Sequence, residues 1–205
     1  MKNIIVFAPH PDDCELGCFA TLSKLSNKFK VIIVNFSLCE ESIPNGYSKD
    51  VLKREAIESQ SLLPNSESIF FRFPVRRFDE HRQDILEEMV SLRKKYNPEL
   101  VFGPATTDQH QDHLVINGEM IRAFKGACSI YGFDMPWNNI SDNVNTYYHI
   151  SESELRMKID AFNCFVSQKF RPYGKDEITA LARLRGLQCG SKYAEAFESI
   201  KCIIK

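Results

Sequence analysis

Continuous apolar runs alternate with amphipathic segments along the first two thirds of the chain. Residues 4–8 and 30–36 are rich in Val, Ile and Phe, which is typical of strands covered on both faces. Shorter runs of the same kind lie at residues 69–71 and 100–102. Between the runs, apolar residues recur at helical spacing, which predicts helices over residues 13–27, 48–63, 79–96 and 114–124. This alternation predicts βαβ units and a parallel sheet.

The last third of the chain is less regular. Its pattern predicts strands at residues 129–133 and 146–150, helices at 151–165 and 177–187, and a closing strand or short helix at 197–204. Ser151 and Glu154 have the spacing of a capping box at the start of the first of these helices. We therefore expect an α/β fold in which helices sandwich a Rossmann-like parallel sheet.

The length and composition indicate one domain over residues 1–205. Residues 1–127 would form the βαβ core, and residues 128–205 would add the strands and helices that complete the site. The chain is 43% apolar and 26% charged, which is ordinary for a globular protein with one sizeable core.

The net charge indicates which kind of binding partner to expect, and the cysteine content indicates which cellular compartment. A formal net charge of -1 gives no general attraction to nucleic acid or to an anionic membrane, so we expect a small-molecule partner. Seven cysteines, an odd number without a CxxC pair, argue against a disulfide framework and favour a reducing, cytoplasmic compartment. The pattern predicts neither a signal peptide nor the roughly 18 apolar residues of a membrane span.

Two polar clusters each follow a predicted strand. They are His10, Asp12 and Asp13 after the first strand, and His110, Asp112 and His113 after the fourth. Because the carboxyl ends of parallel strands share one edge of a sheet, the clusters can meet there. Two imidazoles and one carboxylate with an open fourth position suit a catalytic zinc ion, and the remaining groups are free for proton transfer.

Each cluster alone has a simpler interpretation. Adjacent aspartates after a strand commonly cap a helix, and an HxDH segment is commonly a solvated turn. The presence of both clusters at equivalent strand ends favours a metal site.

The residues of both clusters resemble the signatures of a known family. Residues 8–18 (APHPDDCELGC) are similar to the AHPDDE-like segment, and residues 110–113 (HQDH) to the HxDH segment, of the LmbE-like or PIG-L-like zinc-dependent de-N-acetylases. A weaker match is residues 193–197 (YAEAF). The resemblance implies hydrolysis of the acetamide of an N-acetylated amino sugar or its conjugate, including nucleotide-linked ones, to acetate and a free amine.

The resemblance also implies roles for these residues. His10, Asp13 and His113 would bind one zinc ion per chain. Asp12 would be the general base that activates water, since zinc lowers the pKa of a bound water to about 7. An imidazolium His110, together with zinc, would stabilise the oxyanion. Asp112 would orient a histidine, and the enzymes of this family commonly form homo-oligomers.

Several positions depart from the family pattern. Cys14 stands where an acidic residue is common, and we interpret it and Cys18 as buried apolar residues rather than zinc ligands. Leu52 stands where the family places a substrate-binding arginine, so Arg54 is a candidate replacement or a solvated residue. Tyr193 is a further candidate for substrate binding, with a core aromatic as the alternative.

Other groups have open interpretations. Trp137 is predicted to stack on a sugar ring or merely to pack on the domain. Arg72, Arg76 and Arg77 fit a phosphate contact less well than a solvated connection, and Arg183 and Arg185 are interpreted in the same way.

A nucleotide-sugar transferase and a non-catalytic sugar- or metal-binding module are the alternatives to a deacetylase. The transferase is disfavoured because neither G-x-G-x-x-G nor a P-loop follows the first strand. The binding module would leave Asp12 and His110 without a role.

Overall fold

The computed structural model describes residues 1–204, which form a seven-stranded sheet with helices on both faces. The strands are β1 (Lys2–Ala8), β2 (Phe29–Asn35), β3 (Ser66–Phe70), β4 (Leu100–Pro104), β5 (Ser129–Phe133), β6 (Thr146–His149) and β7 (Ala194–Lys201). Their order in the sheet is β3-β2-β1-β4-β5-β7-β6. The first five strands are parallel to one another, as the alternating pattern predicts.

Six α-helices connect and flank the strands. They are α1 (Asp13–Leu25), α2 (Val51–Gln60), α3 (Arg82–Tyr96), α4 (Gln111–Phe124), α5 (Glu152–Asn163) and α6 (Lys175–Gln188). Short 3₁₀ turns lie before α3 at Phe78–His81, where the sequence predicts the start of the helix, and after α5 at Val166–Gln168. The capping box predicted for α5 is confirmed, since Ser151 and Glu154 each accept the other's backbone N–H.

Strand β1 lies at the centre of the core. Ile4, Val6 and Ala8 pack towards the layer of α1, α5 and α6, whereas Ile5 and Phe7 pack towards α3 and α4. All five side chains are fully buried. This burial on both faces is the reason that the strand is continuously apolar and not alternating.

The sequence pattern predicts either a strand or a short helix near the end of the chain after α6. It forms β7, which begins at Ala194, and inserts antiparallel between β5 and β6. Phe197 is fully buried and packs against Phe102 and Tyr148, so this strand extends the core across the irregular third.

The strand order reverses at β1. The chain proceeds outward from β1 to β2 and β3, then returns to the other side of β1 with β4. A crevice opens at the carboxyl ends of the strands where the order reverses, and ligands bind at such positions in open α/β sheets. Among residues 1–204, no helix combines the length and the apolar character needed to cross a bilayer.

Candidate active site

The two polar clusters meet at this reversal point. His10 follows β1 and His110 follows β4, and these two strands are paired neighbours. Asp12 is the N-cap residue of α1 and Asp13 its first residue, while His110 is the N-cap residue of α4. The sheet thus brings together side chains that are about a hundred residues apart in sequence.

Three ligand-type atoms form a nearly equilateral triangle. His10 Nδ1 and Asp13 Oδ2 are 3.2 Å apart, His113 Nε2 and Asp13 Oδ2 are 3.2 Å apart, and the two imidazole nitrogens are 3.3 Å apart. Nitrogen and oxygen ligands of tetrahedral zinc, at their usual bond lengths, stand about 3.3 Å from one another. The donor set and its spacing therefore fit a zinc ion with one open position.

A second grouping shares two of these residues. His10, His110 and His113 each offer a ring nitrogen, and these nitrogens lie within 4.8 Å of one another. The wider spacing matches tetrahedral zinc less closely than the triangle that includes Asp13. His110 is thus better suited to contact a ligand than to hold the metal.

Buried carboxylates lie behind both triangle imidazoles. His113 Nδ1 is 2.7 Å from Asp108 Oδ2, and His10 Nε2 is 3.0 Å from Asp112 Oδ2. Each pair fixes one ring nitrogen and turns the other towards the triangle, the arrangement usual around metal-binding histidines. Burial opposes a charge on His113, but Asp13 and Asp108 outweigh it and raise the pKa of this imidazole to about 10.

His110 is a neutral donor in this arrangement. Its Nδ1 accepts the backbone N–H of Asp112 at 3.3 Å, which leaves the proton on Nε2. Burial, followed by the neighbouring His10 and His113, lowers the pKa of His110 to about 4. The Asp112 carboxylate pairs with His10, so it is not placed to hold a charged His110 as the sequence predicts.

Asp12 lies in the same cleft and is almost completely buried. Burial, followed by the charge of Asp13, raises the pKa of the Asp12 carboxyl above its ordinary value. A carboxylate with a raised pKa is a better proton acceptor near neutral pH. The Arg171 side chain lies 3.9 Å from Asp12.

The cleft opens to solvent and has an internal volume of about 210 Å³. Trp137 and Tyr173 form one wall, with ring centroids 4.7 Å apart and ring planes 16° apart. An aromatic wall of this kind can pack on the apolar face of a sugar ring.

Comparison with known proteins identifies the family. Residues 5–124, more than half of the chain, match the profile of the PIG-L family, described as GlcNAc-PI de-N-acetylase. The chain belongs to this family. The description of the family names a deacetylase, which agrees with the resemblance of the two signature segments.

Three similar proteins bear on the fold and on function. An uncharacterized deacetylase, YaiS of Escherichia coli K12, is 25% identical over 167 residues, covering 78% of this chain and 88% of the relative. The N,N'-diacetylchitobiose deacetylase of Pyrococcus horikoshii aligns with a TM-score of 0.77 at 20% identity, over 96% of this chain and 82% of that chain. The 4-carboxy-2-hydroxymuconate hydratase GalB of Pseudomonas putida KT2440 aligns with a TM-score of 0.84 at 19% identity, over 100% and 98%. The two structures share the fold of this PIG-L family chain.

Two residues predicted to bind substrate lie outside the cleft. Arg54 is on the exposed face of α2, where it pairs with Asp50 at 3.2 Å and donates to Ser48. Tyr193 is only 6% exposed and packs in the core beneath α5 and α6, so the alternative interpretation as a core aromatic is correct. Trp137, by contrast, lines the cleft.

The structure also shows whether two cysteines and one arginine are buried. Cys14 and Cys18 are fully buried among apolar side chains, as expected. Arg185 is not solvated as expected, since it is buried against Asp134 at 2.8 Å.

Sequence reasoning missed several residues at the cleft. Asp108 is two residues before His110, and its position in the segment DQHQDH was the one signal that could have shown it. Arg171 and Tyr173 come from an irregular loop without a motif. Asn138 donates to Asp108 at 3.2 Å and so joins the loop of Trp137 to the partner of His113.

Proposed function

We propose that this protein is a zinc-dependent deacetylase that hydrolyses the acetamide of an N-acetylated amino sugar or sugar conjugate. The observation that carries the proposal is the triangle of His10 Nδ1, Asp13 Oδ2 and His113 Nε2, with sides of 3.2 to 3.3 Å, in the cleft that also holds Asp12. Membership of the PIG-L family supports the reaction type.

His10, Asp13 and His113 would hold the zinc ion. A bound zinc ion lowers the pKa of water and polarises a carbonyl oxygen. The carboxylates of Asp108 and Asp112 keep the two imidazoles oriented, which is needed for a fixed position of the substrate carbonyl.

Asp12 moves the proton in this reaction. It accepts a proton from the attacking water and returns it to the nitrogen of the breaking C–N bond, so that acetate and the free amine are released. The Nε2–H of His110 donates to the oxygen that becomes negatively charged in the transition state. A neutral His110 can fill this role, because its Nε2–H is a hydrogen-bond donor.

The names of two similar proteins support the reaction, and one of these names also supports the substrate class. The Pyrococcus protein is a deacetylase named for an N-acetylated disaccharide, and the Escherichia coli relative is named as a deacetylase. The protein GalB has the same fold but is named as a hydratase and not as a deacetylase. Fold similarity therefore leaves the reaction to be decided by experiment.

Acetate release tests the proposal. The zinc-loaded protein is incubated with a panel of N-acetyl amino sugars and their nucleotide and other conjugates, and acetate and free amine are measured. We expect release from at least one N-acetyl sugar and about one zinc per chain. Full activity of a preparation free of metal, or no release from any acetamide by the zinc-loaded protein, would contradict the proposal.

Substitution of Asp12 tests the proton transfer. Asp12→Asn removes the proton acceptor but none of the three proposed ligands, so we expect zinc content to be retained and kcat to fall about 10² to 10⁴-fold. Asp84→Asn is the matched control, because the Asp84 side chain is 73% exposed on α3. Wild-type turnover by the Asp12→Asn variant would exclude Asp12 as the base.

A further inference from the structure

One amide side chain of the cleft has an orientation that a buried carboxylate fixes. Asn138 Nδ2 donates to Asp108 Oδ2 at 3.2 Å, and the same oxygen lies 2.7 Å from His113 Nδ1. The Asp108 side chain is almost completely buried. An ionised carboxylate accepts hydrogen bonds and donates none, so the nitrogen of the amide must face Asp108 and its oxygen must face away.

The backbone of Asn138 is fixed as well. Its N–H donates to the Met135 carbonyl at 2.9 Å, and its carbonyl accepts the N–H of Gln109 at 3.0 Å. The next residue, Asn139, forms an antiparallel bridge with Asp108. The turn that carries Asn138 is therefore attached to the segment that follows β4, and the amide has a defined position before a ligand enters. Such preorganisation lowers the entropic cost of binding.

The oxygen of this amide is an available acceptor at the cleft. Asn138 lines the cleft and is partly exposed. Within residues 1–204, its Nδ2 donates to Asp108, whereas its Oδ1 has no donor and is accessible to solvent. The oxygen can therefore accept a hydrogen bond from a ligand while the amide keeps its contact within the protein.

The residue before Asn138 is the exposed tryptophan of the cleft wall. Trp137 stacks on Tyr173 with ring centroids 4.7 Å apart, so its indole is held in place too. A sugar ring has apolar C–H groups on its faces and hydroxyl groups around its rim. A sugar that packs one face on an aromatic wall presents these hydroxyl groups to the polar groups beside the wall, and Asn138 is such a group.

We propose that Asn138 is a specificity-determining residue whose Oδ1 accepts a hydrogen bond from one hydroxyl group of the sugar that packs on Trp137. This inference rests on the proposed function, because it assigns a substrate contact in the same cleft. Asn138 takes no part in proton transfer. Because Asp108 contacts both Asn138 and His113, the contact sets the position of the sugar relative to the proposed zinc ligands.

Calorimetric binding to the zinc-loaded Asp12→Asn variant tests the contact without turnover. The probes are N-acetylglucosamine and a set of deoxy analogues, each of which lacks a different one of its hydroxyl groups. The analogue that lacks the contacting hydroxyl should bind about three- to tenfold more weakly than N-acetylglucosamine, because a hydrogen bond between neutral groups is lost. Zinc content is measured for each variant, so that only loaded proteins are compared.

Substitution of Asn138 in the same background identifies the hydroxyl. Asn138→Ala should weaken the binding of N-acetylglucosamine by about three- to tenfold and should remove the difference between this sugar and one analogue. A merely structural role would weaken all the probes by the same factor, whereas a direct contact is non-additive with the loss of its hydroxyl. Asn138→Leu lacks both polar groups but keeps the volume of the side chain, so it repeats the test if the alanine variant fails to fold.

Asn139→Ala is the matched control. It removes an amide from the same turn that does not line the cleft, so it should keep the differences among the probes.

Three results would overturn the inference. They are no binding of N-acetylglucosamine, unchanged affinity for it in both Asn138 variants, and a loss for every analogue that is the same with and without the Asn138 amide. Acetate release by the wild-type enzyme is a separate measurement. Release together with additive losses would contradict the contact and support the proposed function, whereas non-additive losses without release from any acetamide would do the reverse.

Discussion

The hydrogen-bond partner of the His110 ring differs in kind from the partners of His10 and His113. His10 and His113 each have a carboxylate on one ring nitrogen, whereas His110 has only the backbone N–H of Asp112 on its Nδ1. A carboxylate increases the basicity of a histidine ligand, and a backbone donor does not. This difference is the reason that the proposed mechanism gives metal binding to His10 and His113 and the oxyanion contact to His110.

Substitution of His110 distinguishes these two roles. We expect His110→Ala to retain zinc while its kcat for acetamide hydrolysis falls about 10² to 10³-fold, the usual cost of losing one oxyanion donor. Zinc content measured by elemental analysis is the decisive observation. His113→Ala is the comparison, since it should lose zinc. Loss of zinc from His110→Ala would show that the three-histidine grouping holds the metal.

Helix α1 is fixed at its middle by a buried ion pair from two other elements. Glu195 of β7 accepts the backbone N–H groups of Ala20 and Thr21, and Lys158 of α5 donates to the Leu16 carbonyl and to Glu195 at 2.6 Å. The Lys158 and Glu195 side chains are nearly completely buried. The pair links the helix that carries Asp13 to the last third of the chain.

Removal of one partner of this pair should be costly. Lys158→Met leaves the Glu195 charge buried without its cation, so we expect the free energy of unfolding to fall by about 3 to 5 kcal/mol in denaturant titration. Lys192→Met is the control, because the exposed Lys192–Glu152 pair should contribute at most about 1 kcal/mol. Equal stability of the two variants would show that the pair does not anchor α1.

The hydrophobic pattern of the sequence predicted the strands and helices that carry the proposed metal ligands. The strand before His10 is continuously apolar, and the helix after it has helical spacing, so their order and the edge on which the cluster lies could be predicted. The positions of Arg171 and Tyr173 could not be predicted. The segment before them is held by two hydrogen bonds from Ser167 to Glu55, which is far away in sequence. The position of β7 depends likewise on the contacts of Phe197 with residues far away in sequence.

At the scale of the whole molecule, the cleft depends on a close approach between β5 and the segment that follows β4. A Cβ on Gly132 would lie 2.6 Å from the Cα of Ala105. Ala105 begins the segment that leads to Asp108 and His110. The absence of a side chain in β5 therefore allows the second cluster to lie against the sheet.

Gly132→Ala tests this dependence. We expect a loss of about 1 to 3 kcal/mol in the free energy of unfolding, because the added methyl group meets backbone atoms that must move. We also expect weaker zinc binding in chelator competition, since Asp108 moves with the segment. Gly126→Ala has open space for its Cβ and should change neither quantity. If the Gly132→Ala variant is destabilised but binds zinc with unchanged affinity, the close approach supports the fold and not the proposed metal site.

Because Trp137 stacks on Tyr173 at the wall of the cleft, its fluorescence can report ligand binding there. Trp137 is the only tryptophan in the sequence, and its indole is 43% exposed at the wall where a substrate would pack. The tryptophan fluorescence of this protein therefore arises from the cleft. Titration of the zinc-loaded Asp12→Asn variant with an N-acetyl sugar should shift or quench the emission with the same affinity as calorimetry. An emission spectrum unchanged at saturation would show that the sugar does not reach the aromatic wall.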